Sequence, residues 1–492
     1  MNSLKSLCIP SIINIFEEDI HTLKIVPLNH SHSELKAQKE KITSGSPKLK
    51  IIAPCKIDMG ILRLTGSLEK HYEHQFDKIQ SGICFFVPAS GSGSRMFDFL
   101  QTELNEPVIE RRLKTQDFLE RIRDFAFYLN LQDAQKEKLN RFTDSEHLID
   151  FLLKSKNDGV GLQSMPKALV PFHSYAQGIR SAFIEHLSQG FLLHKNGVNF
   201  HFTIQQMHQD AFKRALLDYK IKNKQLKDVV FSFQDSDTDA FVFDKDMEPL
   251  SVNDSFLRRP SGHGALLENL NSIKDQYILI KNIDNVQHND KAASGLKVWK
   301  ILCGILHSAK QELVKIWDSS DYNSLLNFNE QYGLFSQGQM EKAQDENELQ
   351  KLINRPLRIC GMVLNEGKAG GGPFLVEHEG STVKQIVEGV QVTGEEQSKV
   401  FESSSHFNPV MMAIDTFDMN GDKFDLKDFS NEEQYFVVDK NYNGQKITFV
   451  ERPGLWNGSM FHWNTLFIEI PSSSFTPVKT VFDLLKEPHL SS

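Results

Sequence analysis

Four short stretches of this sequence combine residue types able to hold phosphate or a metal ion. The first is Gly91-Ser92-Gly93-Ser94-Arg95-Met96. Glycines let a chain turn tightly and bring its N–H groups close to phosphate oxygens, and Arg95 adds a guanidinium fork that neutralises them. A plain tight turn has the same composition, so this stretch gains weight only from its surroundings. In the second, Met165-Pro166-Lys167, the lysine is either a point charge for the same phosphates or part of a surface loop. The third is Arg258-Arg259-Pro260-Ser261-Gly262-His263-Gly264, whose glycines admit a flat ligand such as a base beside His263, or simply cap the helix expected from about Ala265. The fourth, Lys281-Asn282-Ile283-Asp284-Asn285, follows an apolar run. A carboxylate at the C-terminal end of a parallel strand points into the crevice where α/β sheets bind ligands, which makes Asp284 a candidate Mg²⁺ ligand, against the competing reading of a turn cap.

Two more stretches differ from ordinary packing sequence. Gly367-Lys368-Ala369-Gly370-Gly371-Gly372-Pro373 reads as a ligand-facing loop or a hinge. Phe475-Thr476-Pro477-Val478-Lys479-Thr480-Val481-Phe482-Asp483 reads as a helix start with Lys479 at its anion-favouring end, or as a terminal helix docked on the core.

The elements that must position these residues alternate between strand and helix. Ile83-Cys84-Phe85-Phe86-Val87-Pro88 is a continuous apolar run, the pattern of a strand buried on both faces, and it leads directly into the small residues Ala89 to Ser94. Phe118, Ile122, Phe125 and Leu129 have helical spacing, so helices are expected from about Glu110 to Leu131 and from Ser145 to Lys156. After the loop Gly159 to Pro171 come a helix near Ser181–Lys195, a strand at Val198–Ile204, a helix at His208–Lys220, and strands at Val229–Phe233 and Tyr277–Lys281. A long helix, Lys291 to Trp317, precedes strands at Leu357–Leu364, Val410–Ile414, Tyr435–Val438, Ile447–Val450 and Leu466–Ile470. The expected fold is α/β: a mostly parallel sheet flanked by helices, with a helical insertion and a β-richer C-terminal portion. By domains, 1–79 reads as an accessory segment, 80–425 as the catalytic domain with its insertion at about 110–158, and 426–492 as a strand and helix portion contributing to the site.

Composition narrows the partners. The chain has 492 residues, 40% of them hydrophobic, enough for a large buried core. Its net charge of −9 is spread without any long basic block, which disfavours nucleic acid and membrane surfaces. Cys8, Cys55, Cys84, Cys303 and Cys360 are scattered with no C-x-x-C pair, as in a cytoplasmic protein with reduced thiols. Leu7 to Phe16 is interrupted by Pro10 and Asn14 and followed by acidic residues, unlike a secretory leader, and no apolar run approaches the roughly 20 residues of a membrane helix. The oligomeric state has no signal in the sequence.

In their order, the pieces resemble the sugar-nucleotide pyrophosphorylases of the GT-A class, above all the UDP-glucose and UDP-sugar pyrophosphorylase branch. There a Gly-rich loop, a Pro-Lys element, a Pro-(x)-Gly-His-Gly turn and an Asn-(x)-Asp-Asn strand end follow one another, as they do here at Gly91, Pro166, Pro260 and Asn282. Ile468-Glu469-Ile470-Pro471 and Phe475-Thr476-Pro477-Val478-Lys479-Thr480, continued by Asp483-Leu484-Leu485, are similar to that branch's last strand and Phe-x-Pro-Val-Lys-Thr element. From about Ile83 to Leu485 the chain is also similar to the bacterial family of domain of unknown function 4301. That likeness rests on Pro166-Lys167-Ala168-Leu169, Phe200-His201-Phe202-Thr203, Asn365-Glu366-Gly367 and Pro453-Gly454-Leu455-Trp456-Asn457-Gly458.

The resemblance implies a GT-A-like nucleotidyltransferase that uses Mg²⁺, a nucleoside triphosphate, UTP by its branch, and a sugar phosphate. By position it makes Asp284 the metal ligand, and Arg95, Lys167 and Lys479 the catalytic cations around the phosphates. Gly91, Ser92, Gly93 and Ser94, with Gln234, Gly262, His263 and Gly264, would bind the nucleotide; Asn285, Glu366, Gly371 and Gly372 would face the sugar substrate. Two departures stand out. The Gly-rich run differs from that of the UDP-glucose branch, and Lys167 lies much farther from Arg95 than is usual, a gap the helical insertion would fill. Two other classes fit in part: a nucleotide-sugar sensor without turnover, and a GT-A glycosyltransferase using the Asp-x-Asp matches Asp235-Ser236-Asp237 or Asp237-Thr238-Asp239, a pattern also common in polar turns.

Overall fold

A computed structural model describes residues 24–27, 32–105, 109–142, 144–153, 159–224, 226–252, 255–367, 370–442 and 445–491. Cys8, the apolar stretch 7–16, the end of the expected insertion at 154–158, and Lys368 and Ala369 of the glycine-rich loop lie outside the described residues. The chain forms two compact units. The larger comprises Lys48–Gln234, Leu266–Asn431 and Ser459–Ser492, the smaller Met1–Pro47, Asp235–Ala265 and Glu432–Gly458.

The larger unit is an α/β fold on a ten-stranded sheet. Its main path runs Lys56–Ile57, Gly60–Leu62, Asn464–Glu469, Leu357–Leu364, Met411–Asp415, Tyr277–Lys281, Ile83–Pro88, Asn199–Thr203 and Val229–Ser232. Along this path every neighbouring pair is parallel except the two made by Met411–Asp415, which runs against both its neighbours. The central strands Tyr277–Lys281 and Met411–Asp415 are buried at every position, as unbroken apolar runs require when both faces are covered. The helix Ala293–Ser319 packs on Leu357–Leu364 and Met411–Asp415 and against the helices Gly66–Asp77 and Ala182–Leu193. Its backbone comes so close to the first of these that a Cβ on Gly304 would stand 1.9 Å from the Tyr72 carbonyl oxygen. The smaller unit pairs the hairpin Phe436–Tyr442/Gln445–Glu451 and the helix His32–Ser44 with strands including Ser255–Arg259, around Ile42, Phe241, Phe243, Phe256, Tyr435 and Val450.

Two expected helices differ. The stretch Glu110 to Leu131 is not continuous: the helix Ile109–Glu120 stops, and a 3-10 turn, Ile122–Asp124, and a short helix, Ala126–Leu129, follow. In one helix Phe118 and Phe125 would be about 10 Å apart along the axis. Their rings lie 5.4 Å apart, and Phe125 stacks on Phe127 at 5.5 Å, an aromatic cluster that a single straight helix over this stretch cannot build. Near the C-terminus the expected helix is a 3-10 turn, Val481–Leu485, its start capped by the Asp483 carboxylate, which accepts the N–H groups of Lys479 and Thr480, each at 2.8 Å.

Candidate functional site

Three chain segments meet at the C-terminal edge of the parallel strands. Tyr277–Lys281 ends in a turn closed by the Asn285 N–H on the Asn282 carbonyl, and this turn carries Asp284, 7% exposed. Beside it, the parallel strand Ile83–Pro88 releases the Gly91–Ser94 loop at the same edge. The loop pairs directly with the Pro-Lys element: Gly93 N–H donates to the Met165 carbonyl at 2.9 Å, and Lys167 N–H to the Gly91 carbonyl at 3.1 Å. A Cβ on Gly93 would sit 2.7 Å from that Met165 oxygen, so the contact needs glycine. This main-chain pairing closes the long sequence gap between Arg95 and Lys167. The third segment is the tail: Val478 N–H donates to the Asp284 carbonyl and Thr476 N–H to Asn285 Oδ1, both at 3.0 Å.

Both lysines then reach the same atom. Lys167 Nζ and Lys479 Nζ each stand 2.9 Å from Asp284 Oδ2. Lys167 is enclosed, with 13% of its side chain exposed, whereas Lys479 keeps 61% in solvent. Burial works against ionisation of Asp284, but the two ammonium groups outweigh it and hold the carboxyl below its usual range. Burial lowers the Lys167 ammonium; Asp284 opposes the shift in part, while the nearby charges of Lys479 and Arg95 add to it. Arg95, on the 3-10 turn Ser94–Phe97, is exposed. The cluster is therefore two cations on one carboxylate, with Arg95 close enough to be felt at Lys167, a net positive site suited to phosphate. Asp284 Oδ1 is buried and has no hydrogen-bond partner, and no group of three or more His, Cys, Asp or Glu side chains is placed for a metal among the described residues. One carboxylate oxygen of the cluster is thus left over, the kind of donor Mg²⁺ takes when phosphate and water supply the rest, but it is closed off here and would have to be uncovered to bind the ion.

The other candidates divide. Asn285 belongs to the cluster through its bonds to the tail. Glu366 is exposed in a turn closed by Gly367 N–H on Asn365 Oδ1, after the strand Leu357–Leu364, whose direction puts it on the same edge. Gly371 and Gly372 serve packing: the Gly371 carbonyl accepts Asn408 N–H at 2.7 Å, and a Cβ on Gly372 would meet the Phe374 ring at 2.7 Å. Ser92 accepts the Ser94 N–H at 3.0 Å. Gln234, half-buried, closes a segment of the larger unit.

Gly262, His263 and Gly264 belong to the smaller unit. There His263 stacks on Trp456 at 4.3 Å and its Nδ1 accepts the Leu455 N–H, while a Cβ on Gly264 would lie 2.0 Å from the Pro453 carbonyl oxygen. The Gly-His-Gly turn and the Pro453–Gly458 stretch are thus packed on each other, with one ring face of His263 covered. Asp235 caps its own turn, accepting the Asp237 N–H at 2.9 Å.

Two features have no role in the sequence reading, although the first of them opens its fourth stretch. Lys281, 6% exposed and ending a fully buried strand, has its ammonium pushed down to about 7 by burial. It lines a cleft of about 10 Å³ with Gln189, Asn285, Gln287 and Ser474. A lysine closing an otherwise apolar run was the available signal. The tail is also anchored beyond Lys479: His489 shares a 3.0 Å hydrogen bond with His173, which in turn bonds Glu185, and His288 N–H donates to the Pro488 carbonyl.

The sequence model of the family described as "Domain of unknown function (DUF4301)" matches residues 18–490. Among solved structures, a variant UDP-glucose pyrophosphorylase from Leishmania major in complex with UDP-glucose aligns at 13% identity and TM-score 0.43, covering 91% of this chain and 73% of that one. The uridine diphosphate N-acetylglucosamine pyrophosphorylase from Trypanosoma brucei, in complex with an inhibitor, aligns at 12% identity and TM-score 0.47, covering 92% and 74%. No curated protein matches the sequence.

Proposed function

This chain belongs to the family described as domain of unknown function DUF4301, and for this member we propose a nucleotidyltransferase that joins UMP from UTP to a sugar 1-phosphate and releases pyrophosphate. The observation that carries the reading is the meeting of Lys167 and Lys479 on Asp284 Oδ2, beside the Gly91–Ser94 loop at a strand end. A phosphate oxygen of the sugar phosphate attacks the α-phosphorus in line; the new P–O bond forms as the bond to the β-phosphate bridge breaks, and pyrophosphate departs with those electrons. No protein nucleophile is required. Lys167, Lys479 and Arg95 neutralise charge on the phosphates, and Asp284 holds the two ammonium groups in place before they arrive. Mg²⁺, taken up on Asp284 Oδ1, would add charge neutralisation on the same phosphates. Uridine is favoured because the Gly-His-Gly and Pro-Val-Lys-Thr elements resemble the uridine-using branch.

We place the reaction in the cytoplasm, in keeping with buried free cysteines at positions 55, 84, 303 and 360. No helix among the described residues is long and apolar enough to cross a membrane. Purified protein supplied with UTP, Mg²⁺ and a panel of sugar 1-phosphates should release pyrophosphate with one of them, and UTP should raise its melting temperature by mass action. Sugar transfer from UDP-sugar to an acceptor without pyrophosphate chemistry would point to a glycosyltransferase, and UDP-sugar binding without turnover to a sensor.

A further inference from the structure

The larger unit also carries a polar cavity of about 230 Å³, partly open to solvent and remote from Asp284. Arg355, at its wall, precedes the strand Leu357–Leu364, and Trp463 precedes Asn464–Glu469. Both strands run in the same direction as Tyr277–Lys281, whose far end leads to Asp284. The cavity therefore sits at the opposite edge of the sheet, about 20 Å away for a six-residue strand.

Its polar wall carries more cations than acids. Lys342, Lys351, Arg355 and Lys384 face it with His378 and His462, against only Glu348 and Glu379 as acids. Glu348 is already taken by Lys351 at 2.9 Å. Arg355 donates one N–H, from Nε, to the Lys351 carbonyl at 3.2 Å, and Lys384 Nζ donates to the Gly333 carbonyl at 2.5 Å. Trp463 is 4% exposed, and its indole N–H is buried without any acceptor. Burial pushes the Lys384 ammonium down to about 8 and lowers Arg355, and neither has a carboxylate within ion-pair distance among the described residues. Leu334, Phe335 and Leu352 supply an apolar wall beside them.

We propose that this cavity binds a phosphate ester with a small organic body, its phosphate held by Arg355, Lys384 and the Trp463 N–H and its carbon portion against Leu334, Phe335 and Leu352. Two cations without a carboxylate partner and an unpartnered indole N–H on the wall of one cavity match the several terminal oxygens of such a group better than a single carboxylate. The site is separate from the Asp284 cluster and stands whether or not that cluster transfers nucleotides.

The test uses the full chain carrying Lys167→Ala and Lys479→Ala, so that phosphate no longer has the cations of the other edge. Glucose 1-phosphate and inorganic phosphate are titrated by calorimetry and by tryptophan fluorescence. Saturable binding of glucose 1-phosphate should persist, exceed that of inorganic phosphate, and weaken at least tenfold on adding Arg355→Ala or Lys384→Met, each checked for native circular dichroism. Trp463→Phe should remove the fluorescence response. Loss of all binding in the Lys167/Lys479 background, or unchanged affinity with both Arg355→Ala and Lys384→Met, overturns the site; equal affinity for the two probes overturns the ester.

Discussion

One carboxylate oxygen with two lysines on it makes those lysines unequal when either is removed. Lys479 is largely in solvent and is delivered by the tail, so Lys479→Ala should lower kcat with little change in KM and little loss of stability. Lys167 is enclosed, and Lys167→Ala should weaken UTP binding by about 1–3 kcal/mol, the scale of a hydrogen bond to a charged group. Steady-state pyrophosphate release and UTP calorimetry separate the two effects; identical profiles for both variants would contradict the assignment. Lys281 makes a prediction of its own. Its ammonium titrates near 7 in the folded chain and at its ordinary 10.5 when unfolded. Between those values the unfolded chain holds more protons, so stability rises with pH from about 7 towards 10.5, and the penalty of the buried charge is complete below 7. Lys281→Met should flatten urea-unfolding stability over pH 7 to 9.5 and raise it at pH 6.5. A wild-type profile without that slope would show that the Lys281 charge is satisfied in solution.

Among the elements, the helix Ala293–Ser319 is the one with least room. Gly304→Ala places a methyl 1.9 Å from the Tyr72 carbonyl oxygen, and the helix Gly66–Asp77 must shift to admit it. The expected loss is about 1–3 kcal/mol, read as a lower urea midpoint at unchanged slope, since overpacking strains the native state without altering the surface exposed on unfolding. This helix was legible in the sequence within two residues at each end, as were the central strands, because long apolar patterns with a single period leave one solution. The stretch around Phe118 and Phe125 was not: helical spacing is satisfied by either a continuous helix or a broken one, and the aromatic cluster that decides between them includes Phe482, far along the chain. The same limit applies at the site. That Asp284 ends a strand could be read locally. The joining of Gly91–Gly93 to Met165–Lys167, and of Asp284–Asn285 to Thr476–Val478, is main-chain pairing between distant segments, which residue types do not encode.

At the scale of the molecule, the large sheet depends on a strand near the end of the sequence. Asn464–Glu469 lies between Leu357–Leu364 and Gly60–Leu62, and its last residue forms a bidentate ion pair with Arg63, 406 positions away. A chain ending at Trp463 should leave Gly60–Leu62 unattached and Leu357–Leu364 with a bare apolar edge. Such a truncation should bind a hydrophobic dye and lose the cooperative transition of the larger unit in urea; a sharp transition like that of the whole chain would show that the strand is dispensable. The tail that follows this strand has a consequence in time. A chain grows from its N-terminus at about 5–20 residues per second. Lys479 lies 195 positions after Asp284, so it leaves the ribosome's catalytic centre roughly 10–40 s later. During that interval the nascent chain has Asp284 and Lys167 but not their third partner, and its sheet lacks the strand that ties Gly60–Leu62 to the rest. The cluster is thereby among the last parts of the larger unit to be completed during synthesis.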